Sequence, residues 1–272
     1  MNQNPVIGVF DSGFGGLTVL RALLHRIPHA RYAFLGDTAR LPYGSKSRRT
    51  IARYAAESAQ FLVREQGAEY LVIACNTASA LALDAIEEAV PVPVLGVIEP
   101  GAASARARSQ TGDVLVIATD ATVQSHAYAA ACRTQGLRTL EKACPLLVPL
   151  VEEGWTQHAV TAEVFRIYLD ELLREAAENG MAPDSLVLGC THYPLLRPLI
   201  EKAVPAGMCV IDSAEATAEA AMRLFGQRGE DCARPSDQIR CFATDSVEKF
   251  ERLGSRFLER PVGHVGLIDL GG

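Results

Sequence analysis

No stretch of the 272 residues offers about 18 consecutive apolar side chains, the length needed to span a bilayer as a helix. The amino terminus, MNQNPVIGVFDSG, also lacks the basic segment and apolar run of a secretory leader. Both absences predict a soluble protein of the cytoplasm with no membrane partner. Charge of one sign is scarce as well. Lys and Arg number 26 against 32 Asp and Glu, a net charge of −6 spread without long runs. The basic footprint needed to neutralise many phosphates is missing, so nucleic acid is not expected as the primary partner. Low-complexity segments and long linkers are absent too.

The seven cysteines are odd in number and irregularly spaced, which reads as reduced thiols rather than a disulfide framework. Cys132, Cys209, Cys232 and Cys241 belong to no motif and are expected to serve as small apolar residues. Neither Cys-x-x-Cys nor His-Glu-x-x-His occurs. The glycine-rich segment FDSGFGGLTVL has Thr18 where a dinucleotide fingerprint needs its third glycine. It also lacks the Lys-Ser/Thr ending of a phosphate loop. No metal or cofactor is therefore expected.

What the chain does have is 49% hydrophobic composition, enough for one large domain or two modest ones. Apolar runs predict strands at 6–10, 32–35, 71–74, 94–97, 114–118, 186–188 and 210–211. Apolar residues recurring at three and four places predict helices over 47–66, 78–89, 161–178 and 214–225, several closed by Gly67, Gly180 or Gly226. Strands alternating with helices imply a mainly parallel sheet covered on both faces.

Two of the strand runs share one design. YLVIACNTAS, from Tyr70, and SLVLGCTHYP, from Ser185, each carry an apolar run, a small residue, a cysteine and a threonine within the next two places. They lie about one small α/β unit apart. VIGVFDSGFGG and VLVIATDATVQS, from Val114, form a second corresponding pair. The repeat predicts two pseudo-symmetric α/β lobes facing each other. The first spans 1–98 plus 210–272 and the second 99–209, with a crossing near Glu99-Pro100-Gly101.

Ligands bind at the carboxyl ends of strands in open α/β sheets, so Cys75 and Cys190 are expected to face a shared cleft. Each thiol precedes a predicted helix, whose amino terminus lowers a thiol pKa and attracts carboxylates. Two thiols across a cleft can take a proton from one face of a carbon and return one to the other, inverting a stereocentre. A metal held by Cys75, Cys190 and His192 is a competing reading with weaker motif support. The glycine loop places Asp11 and Ser12 at a strand end, either to hold an acidic ligand or as a plain tight turn. Asp11 can orient or activate a neighbouring thiol. GDTARLPYGSKS presents backbone N–H groups and the Tyr43 phenol through a Pro42-Tyr43-Gly44 turn. Thr119 and Thr122 offer hydroxyls or helix caps. Glu152 and Glu153 stand at a solvated helix end or supply one acid–base helper. His192 is the candidate functional histidine, while His25, His29, His126, His158 and His264 read as surface or capping residues.

At this point the sequence resembles the cofactor-independent glutamate racemases of bacterial cell-wall synthesis. IGVFDSGFGGLTVL, LGDTARLPYGSKS, LVIACNTASA, ACPLLVPLVEEG, LVLGCTHYPLL and IDSAEATA stand in that family's order from Ile7 to about Ala218. The resemblance implies an isomerase that interconverts L- and D-glutamate, with Cys75 acting on the D-enantiomer and Cys190 on the L-enantiomer. It implies Asp11 as helper of Cys75, and His192 and Glu152 as helpers of Cys190. Substrate contacts carried over by position are Asp11, Ser12, Tyr43, Gly44, Asn76, Thr77, Thr119, Thr191 and His192. A homodimer is also implied. An aspartate racemase is the nearest alternative, disfavoured because those relatives tend to carry glutamate at the place of His192. A two-lobed binding module without catalysis is the alternative from another class, and it has no use for paired thiols.

Overall fold

The continuous apolar runs become strands because a strand covered on both faces needs no alternation. The computed structural model of the chain describes residues 5–225 and 238–271. Cys232, Gly226 and the outermost residues of the expected first lobe lie outside them. The chain opens with β1 (Val6–Asp11), α1 (Leu17–Arg26), β2 (Arg31–Gly36) and α2 (Arg48–Arg64). It continues through β3 (Tyr70–Ile73), α3 (Asn76–Leu81), α4 (Leu83–Ala89), β4 (Val94–Gly96) and α5 (Ile98–Arg108). Then come β5 (Asp113–Ala118), α6 (Asp120–Ser125), α7 (Ala127–Thr134), β6 (Arg138–Ala143), α8 (Leu147–Glu152) and α9 (Ala159–Glu178). The remainder is β7 (Ser185–Gly189), α10 (Arg197–Ala203), β8 (Cys209–Asp212), α11 (Ser213–Phe225), β9 (Ile239–Ala243), α12 (Val247–Leu258) and β10 (Val265–Leu267).

The strands form two sheets, parallel throughout, flanked by helices as expected of the α/β class. The first has the order β10-β9-β2-β1-β3-β4 and the second β6-β5-β7-β8. Every residue of β1, β5 and β7 is buried. In the first sheet the chain moves outward from β1 to β2 and then crosses back to β3, so the connections after β1 and β3 leave on opposite faces and open a crevice. The second sheet repeats this between β5 and β7. These two reversal points deliver Ser12 and Cys75 from one sheet, and Thr119 and Cys190 from the other.

Local signals set several helix ends. Ser47 caps α2 by accepting the Thr50 N–H at 3.3 Å, and Gly67 follows at φ +69°. His158 caps α9 through the Val160 N–H at 3.1 Å, and Gly180 ends it at φ +62°. The single helix expected over 78–89 is two, α3 and α4, which meet at Ala82. The expected crossing at Glu99-Pro100-Gly101 is helical, because a proline in the first turn of α5 forfeits no intrahelical hydrogen bond. The expected return to the first lobe at 210 falls inside β8, whose pairing with β7 keeps residues through Asp212 in the second sheet. Three strands carried no apolar run: β6, at the edge of the second sheet, reads RTLEKA, and β9 and β10 are short.

One carboxylate sets the register of the strands that carry Thr119 and Cys190. Asp184 accepts from the Gln110 and Thr111 N–H groups at 2.6 and 2.9 Å, and from the Ser109 and Ser185 hydroxyls at 2.7 and 3.0 Å. Burial opposes its charge, but these donors outweigh it and hold the carboxyl at about 2. The folded value lies below the unfolded value of about 3.9, so this stabilisation is complete above the unfolded value and fades as pH falls toward the folded one. Asp184→Asn is expected to weaken the protein at neutral pH and to flatten its loss of stability between about pH 4 and 2. Urea unfolding at several pH values checks this, and an unchanged acid slope would contradict it.

Candidate active site

Cys75 is the residue that caps α3. Its Sγ accepts the Ala78 N–H at 3.4 Å and donates to Ser12 Oγ at 3.4 Å. Asp11, one residue before Ser12, is buried; its Oδ2 accepts the Gly13 N–H at 3.0 Å, while Oδ1 has no hydrogen-bond partner. Burial pushes the Asp11 carboxyl up, and the positive charge of His192 and the surrounding N–H groups only partly offset this. The thiol of Cys75 is pushed up to about 12, first by burial and then by the Asp11 charge. The expected lowering at a helix amino terminus is therefore reversed. Six residues of helix do not compensate the loss of water around a sulfur anion.

Cys190 follows β7 and leads into a 3-10 turn at Tyr193–Leu196 rather than directly into an α-helix. Its Sγ lies 3.9 Å from His192 Nδ1, and His192 Nε2 lies 3.3 Å from Glu152 Oε1. Burial works against charge on His192, but hydrogen bonding and attraction from Cys190 and Glu152 win, raising it to about 10. The imidazole is thus protonated at neutral pH. Glu152 is correspondingly held below the usual carboxylate range, despite partial burial, by His192 and Lys249. A positive charge stands beside the Cys190 sulfur.

The lobes approach closely because Gly15 has no side chain. A Cβ there would lie 2.4 Å from Thr191 Oγ1 and 2.6 Å from the His192 ring. The glycine loop is thus shaped first by the opposite lobe. Hydroxyls meet across the same boundary, with Thr77 Oγ1 at 3.1 Å from Thr119 Oγ1 and 3.4 Å from Thr122 Oγ1. Tyr128 donates to Asn76 Oδ1 at 2.7 Å, leaving the buried Asn76 Nδ2 without a partner. Asp37 braces a further wall by accepting from Arg40, from Thr244 at 2.9 Å and from the Tyr43 hydroxyl at 2.6 Å. The Tyr43 phenol, expected to face a ligand, is spent on that carboxylate.

These groups enclose a cavity of about 340 Å3. Ser12, Tyr43, Gly44, Cys75, Asn76, Thr77, Thr119, Glu152, Cys190, Thr191 and His192 all line it. Asp11 is not among the lining residues and stands behind Ser12, so it reaches Cys75 by charge rather than by facing a ligand. Among the described residues, no three His, Cys, Asp or Glu side chains gather as metal ligands would. Nor is any described helix long and apolar enough to cross a membrane.

Residues 17–221 match the Asp/Glu/hydantoin racemase family. A glutamate racemase of Koribacter versatilis is 52% identical, over 99% of both chains. The chain belongs to this racemase family. Its fold is similar to that of a glutamate racemase isoform from Bacillus anthracis, with 34% identity, 99% coverage of both chains and a TM-score of 0.87. It is also similar to the Francisella tularensis glutamate racemase solved in complex with D-glutamate, with 34% identity, 99% coverage of both chains and a TM-score of 0.86.

Sequence reasoning missed other parts of this racemase-family cavity. Leu41, Pro42, Pro145, Val148 and Pro149 form apolar wall, and Ser45 and Asp120 add polar edge. All lie within or beside quoted motifs, yet nothing in a proline or valine marks it as wall rather than core. Lys249, 3.5 Å from Glu152 Oε2, comes from the segment with no motif. The close contact at Gly15 yields a direct expectation. Gly15→Ala should lower kcat/KM by roughly a hundredfold through about 1 Å of displacement of His192 and Thr191. Steady-state kinetics with a thermal melt test it, and near-normal turnover would show that the lobes need not meet so closely.

Proposed function

We propose that this chain interconverts L-glutamate and D-glutamate, passing a proton across the α-carbon between Cys75 and Cys190. Support for this reading comes from one observation above all: a cysteine from the reversal point of each sheet opens onto the same cavity. Cys190 takes the α-hydrogen of the L-enantiomer while the Cys75 thiol returns one to the opposite face, and the roles exchange in reverse. Asp11 assists Cys75, and Glu152 and His192 assist Cys190. The difficulty is carbanionic charge formed beside a carboxylate without an electron sink. Oriented N–H and hydroxyl groups on the walls of a cavity lined by buried residues act strongly on such charge. Asn76 Nδ2 is the unspent donor on the wall, and Thr77, Thr119 and Thr191 supply hydroxyls. The first lobe, which includes 1–98, and the second, which includes 99–209, each give one thiol and half of these donors. The enzyme is an isomerase that supplies D-glutamate for peptidoglycan, and it acts in the cytoplasm as a homodimer.

The protonation pattern gives the site a direction. With Cys75 as thiol and His192 as imidazolium, the resting arrangement matches removal of hydrogen from L-glutamate. The enantiomers have equal free energy, so kcat/KM must be the same in both directions at every pH. Asymmetry can show only in kcat and KM separately. Turnover of D-glutamate needs the Cys75 thiolate, so its kcat should keep rising from about pH 7 to 9 while that for L-glutamate changes less. Parallel kcat profiles would contradict this assignment.

The activity is tested by incubating metal-free, cofactor-free protein with L-glutamate in deuterium oxide, following optical rotation and α-deuterium uptake. Rotation should decay to zero with deuterium incorporated. Cys75→Ala and Cys190→Ala should each abolish racemisation. Full activity in either variant would reject the two-thiol scheme, and faster exchange with aspartate would move the substrate to the shorter acid.

A further inference from the structure

The contacts around Glu152 and His192 do not end within their own lobe. Helix α12 is anchored on the first sheet by buried Phe250, Leu253 and Phe257, with Phe250 packed 5.9 Å from the Phe34 ring of β2. From that anchored helix the Phe257 ring meets the His192 ring nearly at right angles, with centroids 5.0 Å apart. From its first turn, Lys249 Nζ reaches Glu152 Oε2 at 3.5 Å. The other Glu152 oxygen faces His192 Nε2, and His192 Nδ1 faces the Cys190 sulfur. A line of contacts thus runs from Lys249 to Cys190 and crosses from one lobe to the other. Neither Lys249 nor Phe257 lines the cavity.

Glu152 needs such support. It is the last residue of α8, where the helix dipole disfavours a carboxylate. Its side chain has three rotatable bonds and is a quarter exposed. A cation on one oxygen offsets the dipole and leaves the other oxygen aimed at the imidazole. The Phe257 ring restricts the remaining freedom of the imidazole and keeps water from that side of it.

Resting on the two-thiol reading, we propose that Lys249 and Phe257 are positioning residues for the Cys190 half of the reaction, holding the Glu152–His192 pair from the opposite lobe. The helper of Cys190 is then complete only while the lobes are together, since parting them removes both contacts at once.

The experiment compares wild type, Lys249→Met, Lys249→Arg and Phe257→Leu, using L- and D-glutamate each deuterated at the α-carbon. Lys249→Met should lower kcat/KM by roughly three- to fivefold, the scale of a half-exposed ion pair, and by the same factor in both directions. Its isotope effects should diverge: larger for deuterated L-glutamate, because the Cys190 step has become the slower one, and smaller for the D-enantiomer. Lys249→Arg should restore most of the rate and the wild-type isotope effects. Phe257→Leu should shift them as Lys249→Met does. Wild-type isotope effects in Lys249→Met, or an equal loss in Lys249→Arg, would overturn the proposal. A wild type that fails to racemise would instead reject the reading of function beneath it. Lys249 is half-exposed, so its variants keep the test sound if Phe257→Leu fails to fold.

Discussion

Everything in the site depends on how closely two sheets can approach, and that distance is set where Gly15 meets Thr191 and His192. A methyl group there would overlap two groups of the opposite lobe. A proton passed across one carbon needs its donor and acceptor fixed together, and effective molarity falls steeply when either drifts. The chain meets this demand with contacts that cross the boundary at several depths. Thr18 donates to the Thr191 carbonyl at 3.1 Å, Tyr128 reaches Asn76, and the hydroxyls of Thr77, Thr119 and Thr122 meet. These polar contacts lie beside a buried apolar core shared by both sheets, in which Phe14 and Leu17 join one cluster with Leu115 and Leu188.

Drawing the lobes together has an electrostatic consequence. With water excluded, Cys75 and Asp11 are both driven toward their neutral forms, whereas His192 is driven toward its charged form because two acidic partners face it. The same burial therefore acts with opposite sign on the two halves. One half keeps its proton on sulfur, and the other keeps a cation beside sulfur. A helix terminus is a weak influence by comparison: α3 is six residues long, and a short 3-10 turn follows Cys190. Sequence spacing identifies the thiols but says nothing of this balance, because it depends on which groups of the other lobe fill the space around them.

The sequence is legible where the local pattern and the buried environment agree. Continuous apolar runs mark β1, β3, β5 and β7, the strands whose ends form the site, since strands buried on both faces must be apolar. It is silent at β6, β9 and β10, at or near the edges of their sheets, although the edge strands β4 and β8 do carry apolar runs. Arg138 to Ala143 carries no apolar run yet pairs with β5 along its length, because one side of an edge strand faces solvent and tolerates charge. It is incomplete where a motif residue that lines the cavity also has a structural partner. Tyr43 sits in a quoted motif, but Asp37, six residues earlier, claims its hydroxyl. Lys249 and Phe257 carry no local mark at all. Their significance comes from α12 packing on the first sheet and reaching across the boundary, a relation between segments far apart in the chain.

That reach makes the two halves of the site unequal in origin despite their similar strands. Around Cys75, the support comes from Asp11 and Ser12 of the same sheet. Around Cys190, the second sheet supplies His192 and Glu152, but Phe14, Gly15, Lys249 and Phe257 of the first lobe surround them. Phe14 and Phe257 lie 5.6 Å apart and both meet His192, with Lys249 over the Phe14 ring at 5.6 Å. Pseudo-symmetry therefore describes the strands and the thiols, while the surroundings of one thiol are borrowed. A small sheet of four strands has little material left to enclose its own histidine. The chain solves this by returning after β8 to the first sheet, where β9 and β10 carry α12 into place over His192.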